Sequence, residues 1–287
     1  MKDCALVLEG GALRGVFTSG ALDVLMEQDL YLPYVIGVSA GSLNAFGYLS
    51  RQIGRSGRSN IEYARDPRYL GLKNLVQKRS IFNFDFMFGE LSHDLLPFDY
   101  DAFFASPIRF VAVATDCETG RPFYYEKKPG RDETIFDAAV ASSSMPLFAP
   151  PKKLLGRDYL DGGVAMPIAF EKAEEDGFHK QVLVLTRHKG YRKKPLGNGV
   201  RRLYRRTFRD KPEFLQALLR MPEHYNQLMD EIDQREQAGD FFVIRPRKPV
   251  TISRLEKNES KLKSLYLDGK MDTLARLAEL KQFLGVD

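Results

Sequence analysis

Short apolar runs, each followed by glycine or by small polar residues, are the feature that most constrains the fold of this chain. They lie at residues 5–8, 35–38, 110–114, 182–185 and 241–244. Apolar runs without polar alternation are typical of parallel strands that are buried on both faces. Helical periodicity follows the first two runs, at residues 16–29 and 43–49. The alternation predicts a three-layer α/β/α fold with a mainly parallel central sheet.

The last third of the chain is predicted to be mainly helical and to follow a flexible joint. Pro195, Gly197 and Gly199 predict a flexible joint over residues 190–199. We therefore expect an α/β domain at 1–190 and a mainly helical region at 191–287 that packs on it or continues it. An amphipathic pattern predicts a closing helix at 271–284, and residues 123–125 are typical of an edge strand.

Composition excludes several classes of protein. Of the 287 residues 44% are hydrophobic and 28% are charged, as in soluble globular proteins rather than disordered or fibrous ones. Cys4 and Cys117 are too few for a disulfide framework, which favours a reducing compartment and a cytoplasmic location. Residues 30–50 carry no charge, but their proline and glycines suit a strand, a turn and a helix better than a membrane span.

Positive charge is concentrated in one segment. The net charge is +5, yet residues 187–211 contain eleven Lys and Arg against one acid. Within 199–210 an apolar helical stripe is flanked by arginines: Val200, Leu203, Tyr204 and Phe208 beside Arg201, Arg202, Arg205, Arg206 and Arg209. The pattern predicts a basic amphipathic helix that binds an anionic membrane surface, at the inner membrane face, through the first four arginines. Alternatively, the stripe packs on the protein's own core. Nucleic acid is not an expected partner, since no aromatic recognition motif accompanies the charge.

A Gly-x-Ser-x-Gly motif at residues 37–41 centres on Ser39. It follows a predicted strand and precedes a predicted helix, which is the context of a nucleophile in a tight strand-to-helix turn. The small neighbours let the backbone bend sharply, so that the serine hydroxyl faces a substrate. The free N–H groups of the following helix stabilise negative charge there.

A second glycine-rich loop, Gly-Gly-Ala-Leu-Arg-Gly, occupies residues 10–15, again between a strand and a helix. Consecutive glycines allow the N–H groups of Gly10, Gly11 and Ala12 to converge on an anion. A phosphate-binding P-loop is excluded, because Val16 stands where its lysine belongs, and a dinucleotide fingerprint lacks its second glycine. An oxyanion hole fits better, with Arg14 either assisting it or forming a structural salt bridge.

Asp161 ends a short predicted strand and precedes two glycines. Its carboxylate can reach a neighbouring loop and accept the proton of Ser39. The alternative is a simple turn, since Asp-Gly is a common tight-turn pair.

These motifs, in this order, resemble the patatin-like phospholipase family. Further matching blocks are residues 114–116 with 119–120, and residues 141–148 with Pro150. The resemblance covers roughly residues 5–186, and the overall size is similar to that of the small bacterial members. It implies a lipid acyl hydrolase of phospholipase A or lysophospholipase type, with Ser39 as nucleophile and Asp161 as base. Gly10, Gly11 and Ala12 would form the oxyanion hole, and no cofactor or metal is expected. Two alternative functions stay open: an acyltransferase that uses the same dyad, and a regulatory module that binds lipid with little turnover.

Three other interpretations compete for parts of this site. A Ser-His-Asp triad would use His179, His188 or His224, although only one strand precedes Ser39 where an α/β-hydrolase has several. Asp116 is a rival acid, but its setting is typical of a structural turn. The phenylalanines at 82, 84, 86 and 88 indicate core packing or, alternatively, the wall or lid of an acyl-chain pocket.

Overall fold

The computed structural model describes residues 3–286, which form one mixed eight-stranded sheet with helices on both faces. The strands are β1 (Cys4–Leu8), β2 (Tyr34–Val38), β3 (Arg109–Asp116), β4 (Pro122–Glu126), β5 (Lys152–Leu154), β6 (Arg157–Asp161), β7 (Lys180–Val184) and β8 (Phe241–Ile244). Their order is β5-β6-β3-β2-β1-β7-β8, and β4 pairs with β3. The five strands from β3 to β8 in this order pair in parallel, whereas β4, β5 and β6 form antiparallel pairs.

Twelve α-helices connect and cover the strands within the described residues. They are α1 (Val16–Glu27), α2 (Ala40–Leu49), α3 (Arg55–Glu62), α4 (Leu72–Lys78), α5 (Phe84–Phe88), α6 (Tyr100–Ala105), α7 (Thr134–Ser143), α8 (Phe170–Glu175), α9 (Asn198–Thr207), α10 (Pro212–Ala238), α11 (Glu259–Leu274) and α12 (Leu277–Leu284). A 3-10 turn at Ala12–Gly15 leads into α1, and a π-helical turn covers Leu91–Leu95. No helix within residues 3–286 is both long enough and apolar enough to cross a membrane.

The sheet separates two cores, as the uninterrupted apolar strands predict. Leu6 and Leu8 of β1 point into a core shared with α1, α2, α7, α11 and α12. Ala5 and Val7 point into the opposite core, which α8 and α10 cover. Burial on both faces is the reason that these strands carry no polar alternation. The three-layer α/β/α architecture is thereby confirmed.

The C-terminal third joins this architecture at two places. Strand β8 extends the sheet beyond β7. Helix α11 packs closely on α1, where a Cβ added at Gly20 would lie 2.1 Å from the carbonyl oxygen of Tyr266. A Cβ at Gly269 would lie equally close to the carbonyl oxygen of Phe17. Only glycine allows the two helices to approach so closely.

The structure corrects two predictions for the C-terminal third. The helix predicted at 271–284 is the end of α11 and all of α12, separated at Ala275 and Arg276. Arg276 leaves helical geometry because its guanidinium donates to the carbonyl of Val243 at 2.7 Å and pairs with Glu279. A tertiary contact to β8 therefore overrides local periodicity.

The predicted joint at 190–199 is irregular as far as Gly197, but it is anchored rather than free. The amide of Asn226 accepts from the N–H of Lys193 at 2.7 Å and donates to its carbonyl at 3.0 Å. Arg192 forms ion pairs with Asp230 and Asp233 on the same helix, α10. These contacts fix the segment against α10.

Candidate active site

Ser39 occupies a strained turn between β2 and α2. Its φ of +54° lies in the left-handed region, which a non-glycine residue rarely adopts without a functional reason. Gly41 is needed here, because a Cβ would lie 2.3 Å from the carbonyl oxygen of Leu8. The Ser39 N–H donates to the hydroxyl of Ser142 at 2.8 Å, and this bond fixes the turn against α7.

The Ser39 hydroxyl meets the carboxylate of Asp161. Its Oγ donates to Asp161 Oδ2 at 2.8 Å, and the N–H of Gly163 donates to Oδ1 at 2.8 Å. Both side chains are more than nine-tenths buried. Burial raises the pKa of Asp161, opposed by the bonds from Ser39 and Gly163 and by the charges of Arg254 and Lys193. The structure thus brings together the two residues that the motifs single out, in the geometry of a nucleophile and its base.

The glycine loop lies directly against this pair. A Cβ at Gly10 would lie 2.9 Å from the Cβ of Ser39, so the loop approaches the serine as closely as its backbone allows. Ala12 has a φ of +50°, which turns the chain back. Within residues 3–286 the N–H groups of Gly10, Gly11 and Ala12 donate to no other residue. All three residues line the cavity beside Ser39, so these donors are available to an anion there.

A buried carboxylate that the sequence did not single out supports the loop. Glu9 directly follows β1, and its carboxylate accepts from the N–H and hydroxyl of Thr186, at 2.6 and 3.0 Å. Its other oxygen accepts from the Tyr225 hydroxyl at 3.0 Å. Glu9 therefore ties the base of the glycine loop to the end of β7 and to α10. No motif marks Glu9, because its partners lie far away in the chain.

Arg14 lines the cavity beside Ser39. It does not form the structural salt bridge that was one of the two predictions for this residue. It is 7% exposed, its Nε has no partner, and within residues 3–286 it pairs with no carboxylate. Burial, together with the charges of Arg187 and Arg254, lowers its pKa to about 10. The cavity, about 120 Å³, is also lined by Lys193 and by the tyrosines at 191, 204 and 225.

A second, mainly apolar pocket also borders Ser39. Its lining includes Leu43, Phe82, Phe84 and Met87. A further pocket, of mixed polar and apolar lining, shares Leu43 and Met87 with it and includes Phe46, Phe88, Phe98 and Phe136. The phenylalanines of 82–88 divide accordingly: Phe86 is core, whereas three others line space that leads away from the serine.

The competing site residues lie elsewhere. No histidine within residues 3–286 hydrogen-bonds to Ser39 or Asp161 or lines the cavity beside them. Asp116 accepts from the N–H groups of Glu118 and Thr119, both at 2.9 Å, and pairs with Arg157. Its carboxylate is therefore committed to a turn. Neither a histidine triad nor Asp116 has the geometry to serve Ser39.

Helix α9 coincides with the predicted amphipathic stripe, but the stripe is divided. Phe208 packs with Phe214 in a small core, and Tyr204 lines the cavity beside Ser39. Val200 and Leu203 face solvent, 41% and 47% exposed. The helix thus stands at the mouth of the cavity with part of its apolar stripe uncovered.

The sequence and the structure were compared with those of known proteins. A model of the patatin-like phospholipase family matches residues 6–173, and a model of a domain of unknown function, DUF6363, matches residues 211–285. The protein YjjU of Escherichia coli K12, described as uncharacterized, is 29% identical over 191 residues, 63% of this chain. The chain spans about half of YjjU, 51% of its length. VipD from Legionella pneumophila matches in crystal structure with a TM-score of 0.49 and 10% identity, over 97% of this chain and 67% of VipD. Since the first match spans more than half of the sequence, including the glycine loop, Ser39 and Asp161, the chain belongs to the patatin-like phospholipase family.

Proposed function

We propose that this protein hydrolyses carboxylic esters of lipids, with Ser39 as nucleophile and Asp161 as its base. The observation that carries the proposal is the position of Ser39 between two unlike spaces. The cavity carries four cationic side chains and three tyrosines beside its apolar residues, whereas the pocket is lined mainly by Leu43, Met87 and phenylalanines. A lipid ester has the same division, because its carbonyl joins a polar head to an apolar chain.

The first half of the reaction forms an acyl-enzyme. Asp161 accepts the hydroxyl proton while Ser39 Oγ attacks the ester carbonyl. Negative charge develops on the former carbonyl oxygen, where the free N–H groups of Gly10, Gly11 and Ala12 stabilise it. When the tetrahedral intermediate collapses, the proton on Asp161 passes to the departing alcohol oxygen, and the acyl group stays on Ser39.

The second half reverses these roles with water. Asp161 takes a proton from a water molecule, whose oxygen attacks the acyl carbonyl. The same N–H donors stabilise the second tetrahedral intermediate. Its collapse breaks the bond to Ser39, returns the proton from Asp161 to Oγ and releases the fatty acid.

We extend the proposal to the place where the protein meets its substrate. Helix α9 carries Arg202, Arg205 and Arg206 exposed, Arg201 half-buried, and two uncovered apolar residues. Each basic residue near an anionic surface contributes on the order of 1 kcal/mol to binding. Because Tyr204 of this helix lines the cavity, a membrane bound at α9 would present its lipids close to Ser39. Peripheral binding to anionic membranes is the expected consequence.

The test is a panel of short-chain and long-chain carboxylic esters, including phospholipids, lysophospholipids and neutral glycerides. Wild-type protein should release fatty acid from at least one lipid class, and Ser39→Ala should release none. Ser264→Ala, an exposed serine on α11, is the matched control and should behave as wild type. Equal fatty-acid release by wild type and Ser39→Ala would contradict the proposal.

A further inference from the structure

The cavity beside Ser39 has an excess of positive charge. Four cationic side chains line it: Arg14, Arg187, Lys193 and Arg254. The carboxylates in its lining are Glu9 and Asp161. Both are already engaged, Glu9 with Thr186 and Tyr225 and Asp161 with Ser39 and Gly163. The cations therefore exceed the anions by two charges.

None of the four cations pairs with a carboxylate within 4 Å among the described residues. Within residues 3–286 the buried Nε of Arg14 has no hydrogen-bond partner, and Lys193 Nζ lies over the Tyr225 ring, 4.0 Å from its centroid. Arg187 donates one bond to the carbonyl of Val250 at 3.3 Å and lies over the Tyr191 ring. Uncompensated cations this close together repel one another, and a bound anion would remove that cost.

The state of Lys193 supports the same conclusion. Burial and the neighbouring charges of Arg254 and Arg14 lower its pKa to about 8, although Glu9 and Asp161 oppose this. The backbone of Lys193 is nevertheless held by Asn226 on α10. The fold thus keeps an amine in an electrostatically unfavourable position, where an anion would stabilise its charged form.

Resting on the proposed function, we infer that Arg14, Arg187, Lys193 and Arg254 bind a phosphate monoester group carried by the lipid whose ester Ser39 attacks. The excess of two positive charges matches a group that carries nearly two negative charges at neutral pH. Guanidinium groups match phosphate oxygens in geometry and bind them with two parallel hydrogen bonds. A zwitterionic head group would bring a cation into the same cavity and would be disfavoured.

The inferred site is assembled from distant parts of the chain. Arg14 belongs to the glycine loop, while Arg187 and Lys193 follow β7. The carbonyl of Arg254 accepts from the N–H of Leu13 at 3.1 Å, which joins the segment that precedes α11 to the glycine loop. The C-terminal third thereby contributes two of the four cations, Lys193 and Arg254, to a site whose proposed nucleophile and base lie in the first two thirds.

Binding can be measured without turnover in the Ser39→Ala protein. The probes are 1-octanoylglycerol 3-phosphate, 1-octanoylglycero-3-phosphocholine and inorganic phosphate, each titrated calorimetrically as monomers at pH 7. The phosphate monoester should bind at least about tenfold more tightly than the phosphocholine ester. Lys193→Gln and, independently, Arg254→Gln should each weaken binding of the monoester about tenfold. Lys193→Arg should restore it, and Lys263→Gln on the exposed face of α11 is the matched control that should not change it.

Equal affinity for the two lipids, or monoester binding unchanged in both Lys193→Gln and Arg254→Gln, would overturn the inference. Inorganic phosphate that binds as tightly as the lipid would also overturn it, since the site would then belong to a free ion. Selective binding by Ser39→Ala beside a wild type that hydrolyses no ester would refute the proposed function instead and leave the phosphate site standing.

Discussion

The turn that carries Ser39 and the basic wall that faces it are built in opposite ways. The motif of the turn lies within five residues, Gly37 to Gly41, and Ser39 at its centre has a positive φ of +54°. The wall draws its four cations from three separate segments: Arg14 from the glycine loop, Arg187 and Lys193 from the stretch between β7 and α9, and Arg254 from the stretch before α11. The comparison teaches that neighbouring residues determine the turn of the proposed nucleophile, whereas the basic wall depends on contacts between segments that lie far apart in the sequence.

The two regions should therefore respond differently to substitution. A change in the turn alters the reacting atoms themselves and should remove activity for every ester. A change in the wall should alter which ester is preferred and leave the chemical step in place. The following predictions test that division, from the largest expected effect to the smallest.

Removal of either member of the dyad should have the largest effect. Ser39→Ala should abolish ester hydrolysis, and Asp161→Asn should lower kcat at least about 10²-fold, since both residues act on one proton transfer. Asp116→Asn is the contrasting variant, because that carboxylate holds a turn. It should lower thermal stability more than it lowers the kcat of the folded protein. Loss of kcat in Asp116→Asn equal to that in Asp161→Asn would break the assignment of the base.

The glycine loop should be nearly as sensitive. A Cβ at Gly11 would lie 2.9 Å from Thr186 Oγ1 and 3.2 Å from its Cγ2, so Gly11→Val must displace the loop. Displaced N–H donors act mainly on the oxyanion, and losing one typically costs about 10²–10³ in rate. We expect kcat to fall by that amount with little change in KM. Gly197→Val is the matched control, because a Cβ there meets no atom within 4 Å. An increase in KM alone would assign the loop to substrate binding.

Replacement of the arginines of α9 should separate membrane binding from chemistry. The variant has Arg201, Arg202, Arg205 and Arg206 changed to Gln, and its affinity for anionic vesicles, measured by co-sedimentation, should be at least about tenfold lower than that of the wild type. Added salt should lower the affinity of the wild-type protein for the same vesicles. The ratio of vesicle-lipid turnover to soluble-ester turnover should fall in parallel. Vesicle binding that is indifferent to both the substitutions and salt would show that α9 is no membrane contact.

The pH dependence should differ between ester substrates. Asp161 must be ionised to act as base, so kcat/KM should rise with pH through its pKa, which burial holds above the ordinary carboxyl range. With a phosphate monoester lipid, kcat/KM should fall again above pH 8, as Lys193 loses its proton near its pKa of about 8. Lys193→Gln should remove that alkaline decline, and an uncharged ester should not show it. The same alkaline decline with an uncharged ester would assign it to another group.

The positions of the buried strands and the tight turn at Ser39 follow from patterns that the sequence displays locally. Apolar runs identify buried parallel strands, and Gly37 and Gly41 mark a turn that admits no side chain. Asp161 ends a short strand and precedes two glycines, a pattern that also fits a simple turn, and only its order with the other motifs of the family distinguished it. Local patterns succeeded wherever neighbouring residues determine the conformation.

The parts that the sequence did not reveal depend on contacts between distant residues. Glu9 acquires its role only through Thr186 and Tyr225, and the break before α12 results from the bond between Arg276 and Val243. Lys193 stood out only as one member of a basic run. What distinguishes Lys193 is that it is half-buried and has no carboxylate partner in residues 3–286. This environment forms where α10, the glycine loop and the segment before α11 meet.

The most direct test of the central claim is to map the residue that reacts with an acyl-directed probe. Wild-type protein is treated with a fluorophosphonate, and the modified peptide is identified by mass spectrometry. We predict a single adduct on Ser39 Oγ, formed much more slowly in Asp161→Asn and absent in Ser39→Ala. Stoichiometric labelling of a different residue, or undiminished labelling of Ser39→Ala, would contradict the account.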